Sequence, residues 1–424
     1  MRLLVRQFGQ IVGTLESTPD RGVVFRYDPG FLTESGARAL SLSLPLREAT
    51  YSQAAAMPFF SGLLPDGELR RRVADHLHVS ENSTLKLLDA LGGECAGTVS
   101  ISGWEVEEEG QREPDGKVQR TRDDAADGDY RELSRDELAS IVLESQRRPL
   151  LTPRDGARLS LAGAQDKIPL LHRDNRWWLP LGDSPSSHIL KPSSPSFPDL
   201  AANEFFCMRL AAAVGLRVPR VELEVIGRHV LIVDRYDRDM ASGGSVERIH
   251  QEDFCQALGI MPDRKYEADG GPGFPALAKT IRQSCADPLA DIEAFMRAAL
   301  FNLLIGNCDA HGKNFSILYH GPRLGLAPFY DIVSTTVHPE LSGRLSMRMG
   351  KEYRADRIGR ADLELFARDV GVRPRLTMDI LAELVRAGSD AWNATASLPE
   401  LDGHAPLIEG MRLGWDGRAG TALG

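Results

Sequence analysis

The chain has 424 residues, of which 42% are hydrophobic and 26% charged, and its formal net charge is −10. This length allows two or three domains that each bury a core of their own. An acidic balance of this size argues against a protein that binds nucleic acid over much of its surface. The net negative charge is still compatible with a local basic patch or with binding to DNA through a partner.

The sequence shows no signal for export, membrane insertion or disulfide formation. The opening stretch MRLLVRQFGQIVGTLE has charged and polar residues among its apolar ones, which predicts a strand hairpin and not a signal peptide. No apolar run approaches the length of a membrane span, so we expect no membrane partner. The five cysteines are widely spaced without a C-x-x-C pair, so we predict neither a disulfide framework nor a zinc site. We therefore expect a reduced, cytoplasmic protein.

Residues 1–104 form the first predicted domain. Apolar and polar residues alternate in its first part, as in strands, and residues 69–76 and 84–91 then show helical spacing. This pattern predicts a small α+β domain. Residues 105–132 follow with 11 acidic against 5 basic residues and few apolar ones. Because such a segment cannot bury a core, we predict an acidic linker or insertion there.

Residues 133–238 contain two features that suit phosphate binding. The small-residue turn SLAGAQDK at 160–167 would let backbone amides approach phosphates closely, although a plain hairpin fits the same pattern. Lys191 ends a predicted strand, where it is either a paired, phosphate-binding lysine or an edge-strand lysine facing water. Glu204, on the predicted helix that follows, is the natural partner of Lys191 in the first case and an exposed glutamate in the second.

A predicted hairpin at 221–233 leads into Asp234, Arg235 and Tyr236. A strand that turns polar and aromatic is where a two-lobed kinase would change lobe and hold an adenine through backbone groups. Residues 239–424 have mainly helical spacing, with predicted helices as far as Trp392 and a polar tail beyond it.

The loop IGNCDAHGKNFS at 305–316 concentrates groups that can do chemistry. Asp309 and Asn314 have the Asp-x-x-x-x-Asn spacing of a kinase catalytic loop, in which the Asp takes the acceptor proton and the Asn oxygen binds magnesium. Asp331 follows in FYDIVS, where a kinase places its metal-binding Asp. One Asn and one Asp are enough, because magnesium keeps water and phosphate ligands. The alternative reading is a polar turn whose Asp caps a helix.

Taken together, the motifs resemble the HipA family, the kinase toxins of bacterial toxin–antitoxin modules. The resemblance covers nearly the whole chain and rests on GLLPDGELRRR at 62–72, SLAGAQDK at 160–167, HILK at 188–191, NEFFC at 203–207, VDRYDR at 233–238, NCDAHGKNFS at 307–316 and FYDIVS at 329–334. It implies an α+β protein with a two-lobed fold like that of eukaryotic protein kinases. A small N-terminal α+β subdomain would precede an N-lobe at 133–238 and a mainly helical C-lobe at 239–424. The acidic stretch at 105–132 is not expected from the family.

The resemblance also implies a role for each matching residue. Asp309 is the implied catalytic base, Asn314 and Asp331 the magnesium ligands, Lys191 the lysine on the ATP phosphates, and Ser160 an autophosphorylated serine. The remaining implied ATP-binding residues are the phosphate loop (Ala162, Gly163, Ala164, Gln165, Asp166, Lys167), the hinge (Asp234, Arg235, Tyr236) and two residues of the catalytic loop (His311, Lys313). No position carries a residue type that suggests an inactive kinase.

The implied activity is ATP- and magnesium-dependent serine/threonine phosphorylation of a translation component, an aminoacyl-tRNA synthetase, with the glutamyl type favoured. Family members are neutralised by a small helix-turn-helix antitoxin of the HipB type, which binds operator DNA as a dimer. An acidic kinase would then reach DNA mainly through this partner. The domain up to about residue 104 makes much of the antitoxin contact in the family.

Two other functions fit the same residues. The Asp-Asn-Asp set also serves kinases with a small-molecule or lipid acceptor, although the chain has no basic or amphipathic stretch that would face a lipid surface. The second alternative function is that of a non-catalytic co-repressor, which acts only by binding an antitoxin. ATP turnover or autophosphorylation separates this binding module from both kinase hypotheses.

Overall fold

The computed structural model describes residues 1–20, 22–104, 129–145, 158–163, 165–241 and 245–424. Its chain divides into two compact units. The first holds Met1–Leu190 and Arg235–Asp263, and the second holds Lys191–Asp234 and Arg264–Gly424. Most of the predicted acidic linker at 105–132 lies outside the described residues, which resume at Asp129.

Helices and strands are numbered separately in chain order. The strands are β1 (Arg2–Gln7), β2 (Gln10–Thr18), β3 (Gly22–Tyr27), β4 (Val99–Gly103), β5 (Tyr130–Leu133), β6 (Ile168–Arg173), β7 (Arg176–Pro180), β8 (His188–Pro192), β9 (Val221–Ile226), β10 (Arg228–Asp234), β11 (Arg238–Met240), β12 (Val246–Arg248), β13 (His250–Asp253), β14 (Ser316–His320), β15 (Arg323–Leu326), β16 (Arg344–Met349) and β17 (Glu352–Arg354). The helices are α1 (Pro29–Leu32), α2 (Gln53–Gly62), α3 (Gly67–His76), α4 (Thr84–Leu91), α5 (Arg135–Glu144), α6 (Leu200–Ala213), α7 (Phe254–Leu258), α8 (Phe274–Ser284), α9 (Pro288–Ile305), α10 (Arg360–Asp369), α11 (Pro374–Ala396) and α12 (Ala405–Leu423).

An antiparallel sheet with the strand order β3-β2-β1-β4 opens the first unit. The strands predicted from alternating apolar and polar residues are confirmed here. The helices predicted at 69–76 and 84–91 are α3 and α4. Buried aromatic rings join the sheet to α2. The ring centroid of Phe25 lies 4.9 Å from that of Tyr27 and 5.2 Å from that of Phe60.

A second antiparallel arrangement in the first unit has the order β5-β7-β6-β8. Helix α5 follows β5 and begins with a capping box, in which Ser134 Oγ accepts from the Glu137 amide and the Glu137 carboxylate accepts from the Ser134 amide. The chain passes from the first unit to the second inside β8, between Leu190 and Lys191.

Helix α9 is the centre of the second unit. Phe295, Leu300 and Phe301 are fully buried on it, and α8, α11 and α12 pack against it. The helix ends at Gly306, whose φ is +76° and where a Cβ would lie only 2.1 Å from Thr336 Oγ1. A left-handed residue with no room for a side chain requires glycine here. This helix end leads directly into the loop at 307–316.

The prediction of a polar tail after Trp392 is wrong. Residues Ala405–Leu423 form α12, in which Met411 and Trp415 are 0% exposed. The Trp415 ring centroid lies 5.8 Å from those of both Phe301 and Trp392. Glycines and charged residues interrupt the apolar residues of this segment in the sequence, so its apolar face is narrow. The segment is stable as a helix because α9 and α11 supply the surface that buries this face.

Among the described residues, no helix combines the length and the apolar character that crossing a membrane requires.

We expect Trp415→Ala to lower the free energy of unfolding by about 3–5 kcal/mol, because the change leaves a cavity between α9, α11 and α12. Urea denaturation followed by circular dichroism measures the loss. Leu413→Ala is the matched control on the same helix, since Leu413 is 67% exposed, and it should change stability by less than about 0.5 kcal/mol. Equal effects from the two variants would contradict the burial of Trp415.

Candidate active site

The loop between α9 and β14 is held by backbone hydrogen bonds. The His311 amide donates to the Asp309 carbonyl at 2.8 Å, and the Asn314 amide donates to the His311 carbonyl at 2.9 Å. Thr335 Oγ1 accepts from the Cys308 amide at 2.9 Å and donates to the Gly306 carbonyl at 3.0 Å. The loop is therefore an ordered turn that starts at a fixed helix end.

Lys191 lies in a buried cluster of charges at the end of β8. Its ammonium donates to Glu204 Oε1 at 2.6 Å and also to Asp331 Oδ1. Burial opposes the charge of Lys191, but Asp331 and Glu204 outweigh it and raise the lysine pKa above its ordinary value. Glu204 is only 1% exposed. The predicted pairing of Lys191 with Glu204 is thus confirmed, whereas phosphate binding by Lys191 stays a prediction.

Asn314 lies next to Asp331, the second carboxylate of this cluster. Asn314 Nδ2 lies 3.4 Å from Asp331 Oδ2, and Asn314 Oδ1 accepts from the His311 amide at 3.2 Å. Asp331 has φ +54°, a left-handed conformation that is uncommon outside glycine. Its backbone is braced by Asn307, whose Nδ2 donates to the Asp331 carbonyl at 3.3 Å.

The donor set at Asp331 and Asn314 fits a magnesium ion, because both side chains offer hard oxygens. A ligating Asn314 would present Oδ1 to the ion, which requires exchanging the positions of its amide oxygen and nitrogen. One oxygen of Asp331 is held by Lys191, so a bound ion would share this carboxylate with the ammonium. Among the described residues, no group of three or more His, Cys, Asp and Glu side chains forms a metal site.

Asp309 accepts a hydrogen bond at Oδ1 from the Tyr266 hydroxyl, at 2.9 Å. Desolvation by the surrounding protein raises the pKa of the Asp309 carboxyl above its ordinary value, and the negative charge of Asp331 adds to the rise. Lys265 and the Tyr266 hydrogen bond oppose it. A carboxylate with a raised pKa is better able to take a proton than an ordinary aspartate.

His311 and Lys313 are both buried in the loop. Desolvation lowers the pKa of His311 well below its ordinary value, and the neighbouring Lys265 and Lys313 lower it further. The imidazole is therefore neutral, and its buried Nδ1 has no hydrogen-bond partner among the described residues. The Lys313 carbonyl accepts from the Tyr330 hydroxyl at 2.7 Å, which ties the loop to the segment that carries Asp331.

The predicted phosphate loop lies in the first unit and contacts the α2–α3 turn of the same unit. The Asp66 amide donates to the Gly163 carbonyl at 3.0 Å, Asp166 forms an ion pair with Arg72, and Lys167 Nζ donates to the Ala162 carbonyl at 2.8 Å. Two separate sequence motifs, at 62–72 and at 160–167, therefore pack together. Gln165 is half-buried, and Ala164 lies outside the described residues.

Ser160 is 0% exposed at the start of this loop. Its hydroxyl donates to the Leu63 carbonyl at 2.7 Å, and its amide donates to the Glu94 carbonyl at 2.8 Å. The serine is thus inside the first unit in this conformation, and its hydroxyl can reach a phosphate donor only if the segment leaves this position.

The predicted hinge residues lie on both sides of the point at which the chain passes back from the second unit to the first. Asp234 ends the part of the chain in the second unit, and Arg235 and Tyr236 begin the return to the first. Arg235 is buried and donates to Glu94 at 2.8 Å and to Asp237 at 2.8 Å. The Tyr236 hydroxyl donates to Gln251. These two side chains are engaged by protein, so a contact with a nucleotide base would come from the backbone.

The second unit thus brings together Lys191, Asp331 and Asn314, with Asp309 and His311 in the same loop as Asn314. The phosphate loop, Ser160, Arg235 and Tyr236 belong to the first unit. Sequence reasoning missed Tyr266 and Lys265, because no motif includes them and Tyr266 stands 43 positions before Asp309. It also missed Glu94, which meets Arg235, Arg238 and Arg248 in a buried charge cluster.

The fold is that of a mixed helix-and-sheet protein in which side chains of three sequence motifs, Lys191, Asp331 and Asn314, meet in one unit, and comparison with known families gives its class. Residues 159–392 match the HipA-like C-terminal domain, and residues 3–102 match the HipA N-terminal domain. The first match alone spans more than half of the chain. The protein belongs to the HipA family, as the sequence motifs predicted.

Individual relatives cover most of the chain. "Putative kinase Y4mE" of Sinorhizobium fredii is 40% identical over 384 residues, which is 90% of this chain and 89% of the relative. The serine/threonine-protein kinase toxin HipA of Shewanella oneidensis is 29% identical over 378 residues, 86% of this chain and 82% of the relative. A chain in the solved complex of Shewanella oneidensis HipA, HipB and operator DNA superposes with a TM-score of 0.82 at 26% identity, covering 99% of this chain and 97% of that one.

We expect Lys191→Met to lower the free energy of unfolding by about 3–5 kcal/mol, because it leaves the buried Glu204 carboxylate without its cation. The matched control is Lys191→Met combined with Glu204→Met, which removes the stranded charge and should recover part of the loss. Urea midpoints of the parent and both variants provide the comparison. A double variant that is less stable than Lys191→Met would contradict the pairing.

Proposed function

We propose that this protein is an ATP-dependent serine/threonine protein kinase that acts as a HipA-type toxin. The observation that carries the proposal is the meeting of Lys191, Glu204, Asp331 and Asn314 in one unit, in hydrogen-bonded contact with the loop of Asp309. Membership of the HipA family supports it. We further propose the two-lobed kinase-like fold, with the nucleotide lobe at 133–238 and the catalytic lobe at 239–424.

In the proposed reaction the acceptor hydroxyl attacks the γ-phosphorus of ATP. The new oxygen–phosphorus bond forms as the bond to ADP breaks, and the acceptor proton passes to Asp309. Lys191, which its two carboxylate partners keep protonated, presents a positive charge to the ATP phosphates. Backbone amides of residues 162–167 cover the phosphates, and the backbone of residues 234–236 holds the adenine.

Asn314 and Asp331 are the residues that would hold magnesium. When bound, the ion offsets the negative charge of the phosphates. The turn that begins at His311 supports this role for Asn314, whose amide oxygen and nitrogen would have to exchange positions before the oxygen could face the ion. The left-handed backbone of Asp331 and its contact with Asn307 support the role for Asp331.

The proposed acceptor is a serine or threonine of a translation component, an aminoacyl-tRNA synthetase of the glutamyl type being favoured by the family resemblance. The proposed partner is a HipB-like helix-turn-helix antitoxin, which would carry the complex to operator DNA. The likeness to a chain of the HipA–HipB–DNA complex supports this partner, and the N-terminal domain up to residue 104 is the proposed contact. We place the protein in the cytoplasm.

We expect Asp309→Asn to keep Mg-ATP affinity and to lower phosphoryl transfer by about 10²–10⁴-fold, because an amide cannot accept the hydroxyl proton. Transfer of labelled phosphate from ATP to the protein itself, and nucleotide titration calorimetry, measure the two effects. Asp369→Asn is the control, since this exposed residue ends α10 and lies outside every sequence motif, and it should retain full activity. Wild-type transfer rates in Asp309→Asn would refute the assignment, and a parent chain without transfer would favour the non-catalytic co-repressor.

We expect phosphate on Ser160 after incubation with Mg-ATP, detected by mass spectrometry. A phosphate adds about 1.5–2 negative charges to a position that has no exposed surface and is bonded to the Leu63 carbonyl. The modified segment cannot return there, so the amides of residues 162–167 are withdrawn and Mg-ATP affinity falls.

Two controls accompany the Ser160 measurement. Ser160→Ala should stay active for longer than the parent chain in the same incubation, because it cannot inactivate itself. Asp309→Asn should carry no phosphate on Ser160, which excludes a contaminating kinase. An active parent chain whose Ser160 stays unmodified, or a phosphorylated form with undiminished Mg-ATP affinity, would contradict self-inactivation.

A further inference from the structure

Tyr266 contacts the carboxylate that the motif identifies as the base, although it lies outside every motif of the sequence. Its hydroxyl donates to Asp309 Oδ1 at 2.9 Å. Its ring meets the His311 ring edge to face, with 5.4 Å between the centroids. Tyr266 thus contacts two residues of the same loop, one through its hydroxyl and one through its ring.

The segment that carries Tyr266 is tightly closed on itself. The Gly271 amide donates to the Tyr266 carbonyl at 2.8 Å, and the Gly270 amide donates to the Glu267 carbonyl at 3.1 Å. At Gly271 a Cβ would lie 2.2 Å from the Arg264 carbonyl oxygen, so the turn can close this tightly only with glycine.

The same segment is fastened to strand β16. Glu267 Oε2 accepts from the Arg348 amide at 2.8 Å, and Glu267 Oε1 pairs with Arg348 Nε at 3.2 Å. Because Glu267 is the neighbour of Tyr266 in the chain, this attachment limits how far the phenol can move. The hydrogen bond to Asp309 therefore comes from a donor with a fixed position.

A fixed donor on one carboxylate oxygen has two consequences for a base. It restrains rotation of the carboxylate, so the second oxygen keeps a constant direction. It also favours the ionised form over the protonated one. We propose that Tyr266 is a positioning residue, which holds Oδ1 of Asp309 so that Oδ2 receives the proton of the acceptor hydroxyl. This inference rests on the proposed kinase function.

The first test compares Tyr266→Phe with Tyr353→Phe, a control that removes a hydroxyl from the short strand β17. Transfer of labelled phosphate from Mg-ATP to the protein itself gives kcat and the KM for ATP. Tyr266→Phe should lower kcat by about 10- to 100-fold, as expected when a catalytic group is misplaced. Its KM for ATP and its melting temperature should match those of the control. An unchanged or raised kcat would overturn the proposal, and a raised rate would mean that Tyr266 competes with the acceptor.

The second test does not depend on activity. The pKa of Asp309 is measured by carbon NMR of chains labelled at the aspartate carboxyl carbon, with the signal assigned by its loss in Asp309→Asn. Lys265, Tyr266 and Asp331 are the titratable groups that act on Asp309. Removing the phenol should raise the Asp309 pKa, and the acidic limb of the kcat profile should move to higher pH with it. An Asp309 pKa that is equal in Tyr266→Phe and in the parent would overturn the inference.

A parent chain that transfers no phosphate would refute the proposed kinase function. The carboxyl titration would still decide whether Tyr266 holds Asp309. The two failures are therefore distinguishable in one set of proteins.

Discussion

The ammonium of Lys191, buried between the carboxylates of Glu204 and Asp331, is the interaction on which the candidate site depends. It joins the end of β8 and the following helix α6 to the segment after β15, where Asp331 stands 140 positions after Lys191. One ammonium faces two carboxylates, of which that of Glu204 is 1% exposed and that of Asp331 is 26% exposed. The buried carboxylate of Glu204 would be costly to keep without its cation. The cluster therefore fixes the position of the Asp331 carboxylate beside Lys191.

The first unit contains a second buried charge cluster, centred on Glu94. Burial opposes the charge of Glu94, but Arg238, Arg248 and Arg235 together lower its pKa to about 2. The backbone of Glu94 accepts from the Ser160 amide, and its side chain accepts from Arg235. One residue thus connects the start of the predicted phosphate loop to the predicted hinge. A displacement of either segment would disturb the partners of a charge that has no exposed surface.

Short-range spacing carried most of what could be predicted about the site. Asp309 and Asn314 stand in one ordered turn, and their spacing together with Asp331 favoured a catalytic loop over a polar turn. Lys191 and Glu204 are 13 positions apart on consecutive elements, so their pairing was one of two open alternatives until both side chains were found buried. Tyr266 could not be found in this way. Its contact with Asp309 comes from a separate turn, and no periodicity links the two.

The sequence by itself determined the family, the order of most strands and helices, and the residue types at the candidate site, because these depend on local patterns and on motifs read along the chain. Only the tertiary structure decided which charges are buried together, that residues 62–72 contact the loop at 160–167, and that Ala405–Leu423 is a helix and not a polar tail. The physical reason is the same in each case. A buried ion pair, a packed turn or a narrow apolar stripe is stable only against a surface that distant parts of the chain supply.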